Sequence, residues 1–290
     1  MRRILIVSER ASIVKRGERI KICRGDRETS VPVRYLDLVI VFGGVSLSSE
    51  AISLLLRSGV PLFFLTRYGR LRGVLSNGVF ASNYNRRLKQ FRVYTEDPLS
   101  VARLLVGMKL DAVEKEFGLD LSDLRGEIER VKSHEELMGL EGAASRRMFE
   151  KFGAFIKEGD LRFGGRSYRP PTDEVNALLS LAYTLTYAIA YPLTLLMGYD
   201  PYLSFLHTKR GGHASFCSDV IEPVRPLVTR RLSDPVIRKV FTRGDFRREK
   251  GGVYLQKGSL PKFLNWFEGI KEEVVEGIKD TLVTVTEVTG

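Results

Sequence analysis

Cysteine is nearly absent from this chain, whose 290 residues include only Cys23 and Cys217. Two cysteines cannot build the disulfide framework of a small secreted domain. They also cannot supply the cysteine cluster that most structural zinc sites require. The run from Met1 to Arg10 contains too short an apolar stretch for a secretory signal peptide, so we expect a cytoplasmic protein.

Acidic residues are scarce relative to basic ones. The chain has 46 lysines and arginines against 35 aspartates and glutamates, which gives a formal net charge of +11. Such a surplus favours a polyanionic partner, either nucleic acid or an acidic membrane surface. One charge-free stretch, from Val175 to Tyr199, is long enough to span a bilayer. Pro192 interrupts it and serines and threonines are spread through it, so we predict a pair of buried core helices and no membrane partner.

The hydrophobic pattern changes near residue 80, which predicts an α+β protein with two parts. Residues 1–82 contain short β-type runs separated by glycine turns and form a small β-rich domain. Its predicted strands are Ile4–Val7, Ser12–Lys15, Arg19–Cys23, Leu38–Phe42, Val60–Leu65 and Arg70–Leu75, with one helix at Ser49–Arg57. We interpret 83–96 as a linker and 97–290 as a larger all-α domain. Its predicted helices span about 97–116, 121–131, 133–157, 173–197, 219–232 and 259–277.

One carboxylate, Glu141, falls on the apolar face of a predicted helix. Ser133 and Glu136 form a capping box, which predicts that the helix begins there. Leu137 and Ala144 belong to its apolar face, and Glu141 lies four residues after the first and three before the second. A carboxylate turned towards a core is unfavourable unless it is paired or binds a metal.

Further downstream come one imidazole, His207, and two carboxylates, Asp219 and Glu222. Together with Glu141 they make a ligand set that suits Mg²⁺ or Mn²⁺. In a strongly basic protein, such a metal would act on phosphodiesters. Other interpretations remain open at this point: Glu141 as half of a buried ion pair, His207 as a hydrogen-bonded core residue, and Asp219 as a helix N-cap.

Basic residues cluster around these acids in the sequence. The candidates for DNA contact are Arg146, Arg147, Arg166, Arg169, Lys209 and Arg210. A solvated charged face is the alternative for any one of them. Arg225 follows Glu222 by three residues, so it is also a candidate to pair with Asp219 or Glu222 and orient a metal ligand.

Four segments resemble the CRISPR-associated adaptation integrases, the Cas1 family. Tyr168–Ser180 is similar to the family's Pro-Pro and Asn-Ala-Leu-Leu-Ser helix entry, and Gly198–His207 to its Gly-Leu-Asp-Pro…Gly-Phe-Leu-His segment. Asp219–Pro226 matches its Asp-Leu-x-Glu-x-Phe-Arg-Pro signature, and Glu141-Gly142 its first metal glutamate. The motifs keep the family's order over residues 141–226. There are departures: Tyr199, Ser204 and Val224 replace leucine, glycine and phenylalanine.

The resemblance implies a metal-dependent DNA endonuclease and strand-transfer enzyme that joins the 3′-hydroxyl ends of short DNA to a repeat array. It places the Mn²⁺ or Mg²⁺ ligands on Glu141, His207 and Glu222, with Asp219 beside them as a further catalytic residue. It also implies double-stranded DNA, a second copy of the chain and the small Cas2 protein as partners. The alternatives are a free-standing nuclease for branched or repair DNA, and a non-enzymatic DNA-binding scaffold.

Overall fold

The computed structural model describes residues 3–7, 11–66, 71–77, 84–207 and 213–289, and these fold into two compact units. The first unit contains the described residues up to Asn85 together with Leu195–Tyr199, and the second contains the others. The first is rich in strands and the second is mainly helical. The predicted α+β fold class is therefore confirmed.

Two four-stranded sheets make up most of the first unit. Its elements are β1 (Arg3–Val7), β2 (Ser12–Arg16), β3 (Arg19–Arg24), β4 (Arg27–Pro32), β5 (Leu36–Phe42), β6 (Ser46–Leu47), α1 (Ser49–Arg57), β7 (Leu62–Leu65) and β8 (Leu71–Leu75). One sheet has the order β1-β5-β7-β8, with β1, β5 and β7 parallel and β8 antiparallel. The other has the order β4-β3-β2-β6.

The core of this unit follows from the continuous apolar run of β5. Leu38, Val39 and Ile40 have no exposed surface, as expected for a parallel strand that is covered on both faces. Ser48 caps α1 by accepting a hydrogen bond from the N–H of Ala51 at 3.2 Å. The sequence did not predict β4, because its first four residues are polar; they are exposed and lie at the edge of the second sheet.

The second unit is built around long helices. Its elements are α2 (Tyr84–Glu96), α3 (Pro98–Phe117), α4 (Ser122–Ile128), α5 (His134–Phe155), α6 (Glu174–Leu196), α7 (Ser215–Ile221), α8 (Arg225–Ile237), β9 (Phe246–Glu249), β10 (Gly252–Leu255) and α9 (Leu260–Thr289). Helix α3 packs against α5, α8 and α9. It therefore places one face of side chains at the centre of the unit.

Three predicted features of this region differ in the structure. The segment interpreted as a linker is the helix α2, which is held to the unit by the buried amide of Gln90. The part predicted to be all-α contains the antiparallel hairpin β9–β10, whose charged residues concealed its strands. The predicted helix 219–232 is two helices, α7 and α8, because the chain is not α-helical from Glu222 to Val224.

Helix α6 replaces the predicted pair of core helices. It continues through Pro192, so the proline does not divide it. Among the described helices, α6 alone is long and apolar enough to cross a membrane by length and composition, and 67% of its most apolar window is buried inside the protein. A core helix of a globular unit has this composition and this burial.

Candidate metal-binding active site

Glu141 lies on α5 and turns towards α3, as the apolar face of its helix predicted. The helix begins where the capping box placed it, since Ser133 accepts a hydrogen bond from the N–H of Glu136. The Glu141 side chain is 14% exposed. Its carboxylate forms an ion pair with Lys109 and accepts a hydrogen bond from the hydroxyl of Ser145 at 2.8 Å. Pairing of Glu141 was one of the interpretations that the sequence left open.

Lys109 is the central cation of the site, and the sequence analysis missed it. Its side chain is only 1% exposed. Besides Glu141, its ammonium contacts the Ser145 Oγ and the Glu222 Oε2, each at 2.8 Å. A signal for Lys109 exists in the sequence, because it falls in a run of apolar residues spaced by four on α3: Val101, Leu105, Val113 and Phe117. A lysine in a buried stripe requires an anion nearby.

Glu222 is the anion on which the cluster converges. It lies directly after α7 and its side chain is 1% exposed. Its Oε2 accepts from Lys109, while its Oε1 is 2.5 Å from the Arg225 Nη1 and 3.5 Å from the His207 Nε2. Burial alone would raise the pKa of Glu222, but the charges of Arg225, Lys109 and His207 outweigh it and lower the pKa to about 2. Glu222 is therefore ionised at neutral pH.

The same carboxylates act on the ammonium of Lys109. Burial alone would lower the pKa of Lys109, but the negative charges of Glu222 and Glu141 outweigh burial and raise it. The lysine is therefore charged. The described cluster thus contains ionised groups of both signs in a nearly dry environment, which requires that each charge has a close partner.

Asp219 organises the chain segment that carries His207. It lies within α7 and has no exposed surface, so it is not the N-cap of a following helix. Its carboxylate accepts hydrogen bonds from the backbone N–H groups of Phe205, Leu206 and His207 at 2.6, 3.0 and 3.0 Å. It also lies 2.7 Å from the Nδ1 of His207. Because this carboxylate already accepts from three N–H groups, we assign the donor hydrogen of the contact to Nδ1, and Nε2 then faces Glu222.

The environment of His207 favours its charged form. Its side chain is 29% exposed. Burial lowers the pKa of His207. The hydrogen bond to Asp219 and the charges of Asp219 and Glu222 outweigh burial, so the net effect is to raise the pKa. A cation that binds Nε2 would therefore compete with a proton for that nitrogen.

The structure brings all four candidate catalytic residues together, although they come from three separate parts of the chain. Within the described residues, however, no group of three histidine, cysteine, aspartate or glutamate side chains already has the arrangement of a metal site. The ammonium of Lys109 stands between Glu141 and Glu222. Two carboxylates that converge on one positive charge, with an imidazole nitrogen 3.5 Å from one of them, are a donor set that fits Mg²⁺ or Mn²⁺.

Arg225 pairs with Glu222, one of the two partners that the sequence left open for it. Its guanidinium also lies over the ring of Tyr183, 5.3 Å from the centroid, and the guanidinium of Arg166 lies 5.4 Å from the same centroid. Tyr183 fixes this stack through a contact of 2.5 Å between its hydroxyl and that of Thr229. Attraction between the cations and the ring offsets part of the repulsion between the two arginines.

The candidate DNA-binding arginines differ in their availability. Arg146 is exposed and forms no ion pair within the described part of the chain. Arg169 is exposed and lies over the ring of Tyr168 at 5.8 Å. Arg147 is instead paired with Asp123 through two contacts of 2.8 and 2.5 Å. Only the first two of these side chains are therefore free of an anionic partner.

The remaining candidates are one arginine with a structural role and two residues outside the described part of the chain. Arg166 is half-buried and donates to the Asn176 Oδ1 at 3.0 Å and the Ser180 Oγ at 3.3 Å, so it supports the start of α6. Burial lowers the pKa of Arg166 below its usual value. Lys209 and Arg210 lie outside the described residues.

Comparisons with known proteins identify relatives of this chain. A family model described as CRISPR associated protein Cas1 matches residues 4–269. The chain is 29% identical over 290 residues to the CRISPR-associated endonuclease Cas1 3 of Thermus thermophilus, covering 94% of this chain and 86% of that protein. It is 30% identical over 267 residues to the CRISPR-associated endonuclease Cas1 1 of Thermodesulfovibrio yellowstonii, covering 84% and 83%.

Solved structures show the same fold. A Cas1 protein from Thermotoga maritima superposes with a TM-score of 0.79 at 20% identity, covering all of this chain and 96% of that one. A casposase bound to its integration product superposes with a TM-score of 0.74 at 19% identity, covering 100% and 90%. A chain of a partial Cas6-RT-Cas1–Cas2 complex has a TM-score of 0.73 at 20% identity, covering 99% and 96%.

Because Asp219 organises the segment that carries His207, we predict that Asp219→Ala destabilises the protein more than Glu141→Ala does. Asp219→Ala leaves three backbone N–H groups, two of them buried, without an acceptor, so we expect it to lower the free energy of unfolding by about 3–5 kcal/mol. Glu141→Ala should lower it by only about 1–2 kcal/mol, because Lys109 keeps Glu222 and Ser145. Urea denaturation in the presence of a chelator measures both. A smaller loss for Asp219→Ala than for Glu141→Ala would contradict this role.

Proposed function

The chain belongs to the Cas1 family, as its motifs predicted, and from this premise we propose that it is a metal-dependent DNA endonuclease and integrase. In the proposed reaction, a 3′-hydroxyl end of a short DNA attacks a phosphodiester of the repeat array. A P–O bond forms to the attacking oxygen, and the bond to the leaving 3′-oxygen breaks. With water as the nucleophile, the same site cleaves DNA.

One observation carries this proposal: Glu141, His207, Asp219 and Glu222 meet at a single buried polar cluster. These residues come from α5, from the segment before α7, and from α7 and the residue after it. A helical core gains no stability from such a cluster compared with apolar packing, because desolvation of the charges opposes their attraction. Concentrated and perturbed ionisable groups of this kind are typical of functional sites.

Glu141, Glu222 and the Nε2 of His207 would hold the metal. When bound, Mn²⁺ or Mg²⁺ would promote deprotonation of the attacking hydroxyl and stabilise negative charge on the phosphoryl and leaving oxygens. Asp219 contributes by accepting the Nδ1 proton of His207, which fixes the imidazole with Nε2 towards Glu222. Arg225 binds the Glu222 Oε1 and keeps that carboxylate from rotating away.

The DNA would be bound by the basic surface near the site. The net charge of +11 supports attraction of the phosphate backbone. Arg146, five residues after Glu141 on α5, and Arg169, beside the exposed ring of Tyr168, are free to reach phosphates. Tyr168 adds a surface on which a base could stack.

The partners are proposed on the same basis. Joining both ends of one DNA fragment requires two active sites at a fixed distance, and the cluster described above supplies one per chain. We therefore propose a homodimer, and a larger complex with Cas2. Two solved structures with this fold, a Cas6-RT-Cas1–Cas2 complex and a DNA complex of another Cas1, support the second partner and the DNA.

The proposed metal ligands give the first prediction for activity. Glu141→Gln, His207→Ala and Glu222→Gln should each reduce Mn²⁺-dependent cleavage and joining of DNA by about 100-fold or more, because each removes one metal ligand. A strand-joining assay with purified protein, with and without Cas2, measures this. The control is Glu150→Gln, which changes an exposed residue of the same helix. Full activity in any one folded variant would remove that residue from the site.

A second prediction concerns DNA binding. The logarithm of the affinity for duplex DNA should fall linearly with the logarithm of the salt concentration, because bound cations are released from the phosphates. Arg146→Ala should reduce the size of that slope by about 1 and weaken binding to all sequences alike. Arg147→Ala is the matched control, since Arg147 already pairs with Asp123. Fluorescence anisotropy at several salt concentrations measures the slope, and a flat dependence would exclude a phosphate-binding surface.

The third prediction concerns assembly. The first unit contains none of the proposed ligands and has exposed strand edges, such as β4, so we propose that it forms the dimer interface. Light scattering on the full chain should give about twice the monomer mass of 32.8 kDa. A chain truncated to begin near Asn83 should be monomeric and keep a helical circular dichroism spectrum. A full chain that is monomeric at micromolar concentration would contradict the dimer, and a truncated chain that dimerises would contradict the interface.

A further inference from the structure

Lys109 has no role in the reaction proposed above, although it is the cation at the centre of the site. Its ammonium can donate three hydrogen bonds, and it has three acceptors: the Glu141 Oε1, the Ser145 Oγ and the Glu222 Oε2. With a side chain that is 1% exposed, it has no access to water as a substitute partner. All three hydrogen-bond donors of the ammonium are therefore used by the two carboxylates and by Ser145.

The two carboxylates depend on Lys109 to different degrees. Glu222 also has Arg225, which lies 2.5 Å away. Among the described residues, no cation other than Lys109 contacts Glu141 directly, and Ser145 is its only further hydrogen-bond donor. Without the ammonium, two negative charges would face each other across a nearly dry space, and repulsion would push them apart.

A divalent cation and the ammonium compete for the same two carboxylates. Glu141 and Glu222 are the proposed metal ligands, and Lys109 already contacts one oxygen of each. A metal ion bound by these carboxylates would lie close to the ammonium, and like charges at such separations repel by several kT even at an effective dielectric constant well above that of dry protein. The ammonium must therefore give up at least one carboxylate when the metal binds.

We propose that Lys109 is a resident counter-cation of this site, which holds Glu141 and Glu222 together before the metal arrives and which the metal must displace. The proposal rests on the metal site of the proposed function. Lys109 is then a positioning residue with two opposite effects: it stabilises the metal-free fold, and it weakens the affinity for the metal. The catalytic site is thereby preorganised at the expense of metal binding.

The test is Mn²⁺ binding to the full chain without DNA, measured by isothermal titration calorimetry for the wild type and for Lys109→Met. Methionine has a similar length but neither charge nor donor. We expect the variant to bind Mn²⁺ at least about tenfold more tightly, because the competing charge is gone. The matched control is Lys115→Met, which removes an exposed lysine from the same helix and should leave the affinity unchanged. Equal or weaker binding by Lys109→Met would overturn the proposal.

Thermal unfolding gives a second readout. In a chelator, Lys109→Met should melt at a lower temperature than the wild type, and saturating Mn²⁺ should narrow the difference, because the metal then neutralises the carboxylates. If Lys109→Met does not fold in the chelator, Lys109→Gln replaces it, and Mn²⁺ should restore the fold of either variant. Failure of both variants to fold in millimolar Mn²⁺ would show that a metal cannot replace the ammonium and would also overturn the proposal.

Glu141→Gln separates this proposal from the metal site itself. If Glu141→Gln abolishes Mn²⁺ binding but Lys109→Met binds Mn²⁺ with the same affinity as the wild type, the metal site is correct and the proposed role of Lys109 is wrong. If Glu141→Gln binds Mn²⁺ as tightly as the wild type, the metal site assigned to these residues is wrong, and the role of Lys109 fails with it.

Discussion

The buried carboxylate of Glu222 is the constraint on which the second unit depends. It is 1% exposed, and it is stable as an anion only because Lys109 and Arg225 contact it directly. The two cations come from α3 and α8, and Lys109 extends the cluster to Glu141 on α5. A shift of any of these helices would leave a charge without a partner at a cost of several kcal/mol. The cluster therefore selects one arrangement of the helices, whatever its net contribution to stability.

The sequence predicted the acids of this site better than its cations. The helix start at Ser133 and the position of Glu141 on the apolar face were confirmed, because both follow from local rules of helix geometry. The proximity of His207, Asp219 and Glu222 to Glu141 could only come from the family resemblance, since long-range contacts have no local signature. The sequence analysis missed Lys109, although its position in the apolar stripe of α3 indicates that its side chain is buried. Periodicity shows that a side chain is buried, but it does not show which partner it meets.

The errors in the predicted fold arose where the local composition favours one secondary structure and the packing in the folded protein favours another. The charged residues of β9 and the polar residues of β4 concealed strands, because their side chains are mostly exposed and need no apolar alternation. Helix α9 continues to Thr289, although threonine and valine, which have low helix propensity, are frequent near its end. A stripe that includes Val274, Ile278 and Val285 is fully buried, and this packing outweighs the local preference.

The backbone of the segment between Asp200 and His207 is held in place mainly by hydrogen bonds to side chains from other elements. This has a consequence for which substitutions the segment tolerates. Gln90 exchanges hydrogen bonds with the backbone of Asp200 at one end, and Asp219 binds three amides at the other. Mutational drift between these two anchors leaves the imidazole of His207 in place, provided that both anchors are retained. Ser204 lies between the anchors, and its hydroxyl donates a hydrogen bond to the carbonyl oxygen of His207 at 2.6 Å. A change of side chain between the two anchors therefore need not move the imidazole that is proposed to bind the metal.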